Sequence, residues 1–114
     1  FLSRYDYFQT IEVHKKAKPS WLGIPIVLRD DAPFELSELT EYLESSGVET
    51  RPILTGNILR QPVSKKLFPH VSQKDFPGAE ILHSRGLYIG LSPITDEKTI
   101  ERLKDTMKIF LDKH

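Results

Sequence analysis

Two segments of the chain place apolar residues at helical spacing. The segment 36–43 has leucine at i, i+3 and i+7 and is followed by Gly47, and the segment 100–111 carries an apolar stripe after Thr95. Such spacing puts the apolar side chains on one face of a helix, where they can pack against a neighbouring layer. We therefore predict two amphipathic helices. The first should end at Gly47 in a left-handed cap, and the second should begin with Thr95 as its N-cap.

Three short apolar runs have strand character. They cover residues 21–28, 48–53 and 87–91, and each contains β-branched or aromatic side chains. Pro25 has no N–H to donate, so the first strand should border the sheet. Shorter helices are predicted over 62–68 and 75–85, because each segment has a proline near its start.

The order of these elements predicts an α/β fold. The predicted order is strand, helix, strand, long loop, two short helices, strand and helix. This order predicts a two-layer sandwich, with a small, mostly antiparallel sheet and helices on one face. The 114 residues fit a single domain over 1–114. Apolar residues at positions 1, 2, 5 and 8 fall near helical spacing, which predicts that 1–8 is the tail of an inter-domain helix in a longer protein.

The segment 49–63 has no regular period and is too apolar for a disordered loop. Arg51 and Arg60 carry planar guanidinium groups suited to carboxylate or phosphate oxygens. Asn57 offers both a donor and an acceptor, and Gln61 follows in the same segment. We predict that Arg51, Asn57, Arg60 and Gln61 face a ligand. The structural alternative is that the arginines pair with nearby acids and the two amides satisfy the loop's own backbone.

The charge and composition of the chain exclude several classes of partner. Sixteen basic and sixteen acidic residues cancel, so no global field attracts nucleic acid or an anionic membrane. The absence of cysteine excludes disulfides and thiolate metal sites. No apolar run approaches the roughly 20 residues that cross a bilayer. We expect a cytoplasmic chain without nucleic-acid or membrane partners.

Patterns typical of catalysis are also absent from the sequence. The four histidines have no ligand-like spacing, and no serine lies in the context of a nucleophile elbow. We expect no catalytic residue and no metal site in this chain alone.

Three segments carry a family resemblance. They are Pro19-Ser20-Trp21-Leu22-Gly23-Ile24-Pro25, Glu49-Thr50-Arg51-Pro52 continuing to Gly56-Asn57-Ile58-Leu59-Arg60-Gln61-Pro62, and Gly86-Leu87-Tyr88-Ile89-Gly90. Together they resemble the C-terminal small domain of DegT-like sugar-nucleotide aminotransferases. Within that family, the chain looks most similar to the branch of the CDP-4-keto-6-deoxyglucose 3-dehydratases of lipopolysaccharide biosynthesis.

The resemblance implies a parent enzyme with the fold of aspartate aminotransferase. Such an enzyme binds pyridoxal phosphate or pyridoxamine phosphate in a large N-terminal domain that this chain lacks, and acts as a homodimer on a nucleotide-linked keto-deoxysugar. This chain would bind no cofactor alone. It would cover the substrate and contribute to the dimer of an enzyme that carries out transamination or 3-dehydration for O-antigen deoxysugars. Arg51 would bind anionic or hydroxyl oxygens of the substrate, and Asn57 and Arg60 would orient the sugar or its phosphates. Gln61 would lie in the same segment, near the sugar nucleotide.

Two other functions remain open at this point. The chain could be a free-standing module that binds a nucleotide sugar or another anion, or an interaction domain that docks on a separate catalytic chain. If a large domain docks here, an exposed apolar surface is expected, including Trp21 and Phe1.

Overall fold

A three-stranded antiparallel sheet lies at the centre of the computed structural model, which describes residues 1–9 and 11–114. The strands are β1 (Gly23–Val27), β2 (Thr50–Pro52) and β3 (Gly86–Gly90), in the order β1-β3-β2. In this order β1 is an edge strand, as the missing N–H of Pro25 predicts. The predicted α/β class with an antiparallel sheet is confirmed.

Two amphipathic helices, α1 (Leu36–Ser45) and α4 (Glu97–Leu111), pack together and supply most of the helical part of the core. Leu39 and Leu43 of α1 are fully buried. Burial of one such leucine stabilises the folded chain by about 1.5–3 kcal/mol. The packing of this helical layer therefore holds the helices against the sheet. The core joins both helices to β1, β3 and the segments beside them through Phe8, Ile26, Leu28, Phe34, Leu39, Leu43, Leu87, Ile89, Met107, Phe110 and Leu111.

Two shorter helices, α2 (Pro62–Leu67) and α3 (Pro77–Arg85), follow β2. Each has a proline in its first turn, as the sequence predicts. The C-terminal end of α3 leads directly into β3, where a Cβ on Gly86 would lie 2.6 Å from the carbonyl oxygen of Leu82. Glycine is therefore required for this close connection. No helix within the described residues has both the length and the apolarity needed to cross a membrane.

The caps of the two long helices agree only in part with prediction. Gly47 has a φ of +81° after α1, which is the left-handed conformation expected of it. The N-cap of α4 is Asp96, whose Oδ1 accepts the Thr99 N–H at 2.8 Å, so the prediction of Thr95 was wrong by one position. Thr95 instead accepts the Ser92 N–H at 2.9 Å and closes the preceding turn. The Asp96 carboxylate interacts favourably with the helix dipole as well as filling the cap.

The N-terminal segment is less helical than its spacing suggests. Only Leu2–Arg4 forms a 3-10 turn, and Tyr5 is already extended. Phe8 forms an isolated antiparallel bridge with Leu28, and the Gln9 N–H donates to the Val27 carbonyl at 2.8 Å. The segment therefore leaves its helical turn and lies along the end of β1.

Candidate functional site

The structure divides the four predicted site residues between two places. Arg51 lies on β2. Asn57 is the N-cap of a 3-10 turn, Ile58–Arg60, that ends with Arg60. Gln61 follows this turn and precedes α2. The segment 49–63 is thus a strand followed by a turn rather than one continuous loop. Arg51, Arg60 and Gln61 are exposed, and Asn57 is buried.

Asn57 is fixed inside the fold. Its residue is only 1% exposed. The side-chain oxygen accepts the Leu59 N–H at 3.1 Å, and the side-chain nitrogen donates to Oε2 of Glu80 at 3.0 Å. The backbone N–H of Asn57 donates to Nδ1 of His83 at 3.4 Å. These contacts cap the 3-10 turn and join it to α3, so a ligand could reach the Asn57 amide only by displacing them.

Arg60 points to the same carboxylate. Its Nε donates to Oε2 of Glu80 at 3.2 Å, and its Nη2 forms an ion pair with Oε1. The two contacts make a bidentate fork that lowers the pKa of the Glu80 carboxyl, with a further contribution from the Asn57 amide. The same hydrogen bond raises the pKa of Arg60 above its ordinary value. Both side chains remain partly exposed, at 45% and 33%, so an anion at the surface could compete for the guanidinium.

Gly56 allows the turn to approach α3. Its φ of +57° lies in the left-handed region. A Cβ at this position would lie 2.5 Å from Nδ1 and 2.9 Å from the Cα of His83. Both the backbone conformation and the available space therefore require glycine. Gly56, Asn57 and Arg60 form one connected unit with Glu80 and His83 of α3, which we call the α3 clamp.

Arg51 lies apart from this clamp on the side of the sheet that faces away from α1 and α4. In the sheet register, Arg51 is opposite Tyr88, and Tyr88 is opposite Pro25. The neighbouring Leu87 and Ile89 are in the core, so alternation along β3 places this row on the other face. Arg51 forms an ion pair with Glu49, and both side chains are more than half exposed.

Arg51 and Tyr88 of this row line a shallow groove of about 390 Å³. Leu22, Glu49, Arg51, Tyr88 and Gly90 are among its lining residues. The Tyr88 ring lies against Gly23, where a Cβ would be 2.6 Å from Cδ2 of the ring. The groove therefore combines a guanidinium, a carboxylate and an aromatic surface, which suits a ligand with both polar oxygens and a flat or apolar part.

Glu80, His83 and Tyr88 were not among the site residues predicted from the sequence. Glu80 and His83 contact residues that precede them by twenty or more positions. No local pattern links residues that far apart. Tyr88 could have been found, because alternation of Leu87, Tyr88 and Ile89 predicts that the tyrosine faces away from the core.

The lysines and the metal-ligating side chain types can be compared with what a cofactor or metal would need. Nine of the ten lysines are exposed, and the half-buried Lys104 is paired with Glu101. A lysine that holds pyridoxal phosphate needs an enclosed site with partners for the ring and phosphate, which the exposed lysines do not have. Over the described ranges 1–9 and 11–114, no three His, Asp or Glu side chains gather as metal ligands.

Comparison with known proteins supplies the wider context. The sequence profile of the DegT/DnrJ/EryC1/StrS aminotransferase family matches residues 1–108. The chain is 29% identical over 109 residues to a GDP-4-keto-6-deoxy-D-mannose 3-dehydratase of Escherichia coli O55:H7, covering 95% of this chain and 28% of that protein. The enzyme of the same name from Yersinia pseudotuberculosis is 32% identical over 89 residues, covering 78% of this chain and 23% of that protein.

Solved structures agree with this similarity. A GDP-4-keto-6-deoxymannose-3-dehydratase H188N mutant with bound GDP-perosamine has a TM-score of 0.79 and 28% identity, and the match covers 94% of this chain and 27% of that one. The Escherichia coli enzyme with bound hydrated PLP has a TM-score of 0.78 and 28% identity, with 92% and 26% covered. The chain therefore spans about a quarter of the length of the proteins that it matches.

Proposed function

Because this chain belongs to the DegT/DnrJ/EryC1/StrS aminotransferase family, we propose that it is the C-terminal small domain of a pyridoxal-phosphate-dependent enzyme acting on a nucleotide-linked keto-deoxysugar. The observation that carries the proposal is the match of 94% of the chain, at a TM-score of 0.79, to a 3-dehydratase with bound GDP-perosamine. The chain represents about a quarter of such a protein. The rest of the polypeptide would hold the cofactor and the catalytic groups.

The domain would act by covering the substrate and contributing to a homodimer. Arg51 has the strongest case for substrate contact, because its guanidinium is exposed beside the Tyr88 groove and its partner Glu49 is exposed as well. An exposed ion pair contributes little free energy, so a sugar hydroxyl or phosphate can replace Glu49 at small cost. Gln61 is exposed and can also reach a ligand.

Asn57 and Arg60 would serve the same site indirectly. Their contacts with Glu80 hold the 3-10 turn against α3, and Gln61 follows that turn immediately. Their role in this proposal is therefore to position the segment that approaches the sugar nucleotide. This differs from the direct orientation of the sugar that the family resemblance implies for them.

Pyridoxal phosphate supplies the electron sink for carbanion chemistry in enzymes of this kind. The exposed lysines of this chain do not fit such a site. In this proposal the cofactor binds elsewhere in the protein, as hydrated PLP is bound in the Escherichia coli relative. The enzyme would act in the cytoplasm, in the synthesis of deoxysugars for lipopolysaccharide.

Steady-state kinetics of the protein that carries this chain test the proposal. The purified protein, loaded with pyridoxal phosphate, is assayed with GDP-, dTDP- and CDP-linked 4-keto-6-deoxyhexoses, with GDP first because both relatives named above are GDP-sugar enzymes. A 3-deoxy product indicates dehydration, and an amino sugar indicates transamination. Arg51→Ala should raise KM about ten-fold or more, as expected for loss of a hydrogen bond to a charged group.

Arg29→Ala is a matched control for that variant. Arg29 also pairs with an acid two residues away, Asp31, and its side chain is similarly exposed, at 51% against 58% for Arg51. KM should be unchanged in Arg29→Ala. A protein that binds the nucleotide sugar but turns over none of the three would indicate the binding-module alternative, and activity only after addition of a second polypeptide would indicate an interaction domain.

A further inference from the structure

Helix α2 presents its apolar side chains to solvent. Val63 and Leu67 are 54% and 65% exposed, and Phe68 at the end of the helix is 50% exposed. The only buried residue of α2 is a serine, Ser64. Surface helices normally turn their apolar positions inward. In α2 the apolar positions instead face outward together with Lys65 and Lys66, and Ser64 faces inward.

The orientation of α2 is fixed by hydrogen bonds rather than by apolar packing. The Ser64 hydroxyl donates to the Ile58 carbonyl at 2.7 Å, and the Ser64 N–H donates to the Gln61 carbonyl at 3.0 Å. The Gln73 amide donates to the Leu59 carbonyl at 3.4 Å. The Ser64 hydroxyl therefore attaches α2 to the 3-10 turn, and Gln73 attaches the segment that follows α2 to the same turn. Val63 and Leu67, four residues apart, therefore share the outward side.

We infer that Val63, Leu67 and Phe68, which we call the α2 patch, are the contact surface for the remainder of the family polypeptide. Single exposed apolar residues are common, but a helix whose apolar positions all face outward is typical of an interface. We assign the remainder of the polypeptide as the partner of this patch, because nearly three quarters of the relative from Escherichia coli lies outside the matched part. This identification of the occupant rests on the proposed function.

The charges around the patch define its partner further. Lys65 and Lys66 are exposed on α2 itself, and no Asp or Glu lies between residues 58 and 74, whereas Arg60 is paired with Glu80. Complementary charge around an apolar centre gives an interface its specificity. The docking surface on the remainder of the polypeptide should therefore be apolar at its centre and acidic at its rim.

Docking at α2 would also bring the proposed substrate segment to a domain boundary. Gln61 is the residue before α2, and the α3 clamp begins at Gly56, so the patch and the clamp hold the same short segment from two sides. Ligand sites form preferentially at such boundaries between domains. The α2 patch would thus seat residues 57–61 against the part of the protein that carries the cofactor.

Cysteine labelling tests this inference in the protein that carries the chain. The chain has no cysteine of its own, so Leu67→Cys introduces a single thiol into it. Ile109→Cys is the matched control, because Ile109 is an apolar residue on α4 with a similar exposure of 55%. Maleimide labelling rates are measured on the native protein and normalised to the rates in urea. We expect labelling at 67 to be at least about ten-fold slower than at 109.

The outcomes separate the inference from its alternatives. Equal rates at 67 and 109 would overturn it. Val63→Cys provides a second position if Leu67→Cys does not fold, and it should be protected to the same degree. If protection disappears when dilution separates folded subunits, the occupant is a second copy and the inference as stated is wrong. Protection at 67 in a protein that turns over no nucleotide sugar would preserve the interface and refute the proposed function.

Discussion

Asn57→Ala should destabilise the domain strongly, because the Asn57 side chain is buried and bonded at both ends. The substitution removes the acceptor for the Leu59 N–H and the donor to Glu80. Loss of an N-cap costs about 1 kcal/mol, and loss of a second side-chain hydrogen bond costs about 1–2 kcal/mol more. The free energy of unfolding should fall by about 2–3 kcal/mol.

Urea denaturation followed by Trp21 fluorescence measures this loss, since Trp21 is the only tryptophan in the chain. With a slope near 2 kcal/mol per molar urea, the midpoint should fall by about 1–1.5 M. Gln61→Ala is the control, because Gln61 lies in the same segment and is exposed. Its effect should stay within about 0.5 kcal/mol.

The opposite pattern would refute the structural account of Asn57. If Asn57→Ala changes the midpoint no more than Gln61→Ala does, the amide is not a structural bond of the fold. If the same variant also abolishes binding of a nucleotide sugar, Asn57 contacts the ligand directly, as predicted from the sequence of the segment 49–63. A loss of stability with binding retained would support its positioning role.

Three further predictions follow from the packing. Hydrogen bonds from Arg60 and from Thr99 lower the pKa values of Glu80 and Asp96 respectively. The stability that these carboxylates add is therefore present above their unfolded pKa values and is lost as pH falls below about 4. In urea titrations at successive pH values, Glu80→Gln should reduce the loss of unfolding free energy at acid pH. Gly56→Ala should cost about 2 kcal/mol or more through its positive φ and the clash at α3, whereas Gly78→Ala, with open space around it, should be neutral or stabilising in the same assay. Leu39→Ala should cost about 2–5 kcal/mol by thermal unfolding; a smaller loss would mean that the core collapses around the cavity.

The sequence predicted the elements whose signals are local. Helical spacing of apolar residues located α1 and α4, and the proline at position 25 placed β1 at the edge. Gly47 adopts the left-handed conformation that was predicted for it. The segments around Gly56-Asn57 and Gly86-Leu87 identified the family, and the match over residues 1–108 confirmed it. These features depend on periodicity and on single-residue stereochemistry, which neighbouring residues fix without reference to the rest of the chain.

The relation between the predicted site residues was decided only by tertiary structure. Asn57 and Arg60 contact Glu80, which lies twenty or more positions later in the sequence, and Arg51 lies on a strand away from them. The outward orientation of Val63 and Leu67 also has no local signal, because their helical spacing alone would place them in a core. A spacing pattern specifies which side chains share a face, whereas the direction of that face depends on packing and hydrogen bonds between segments far apart in the sequence.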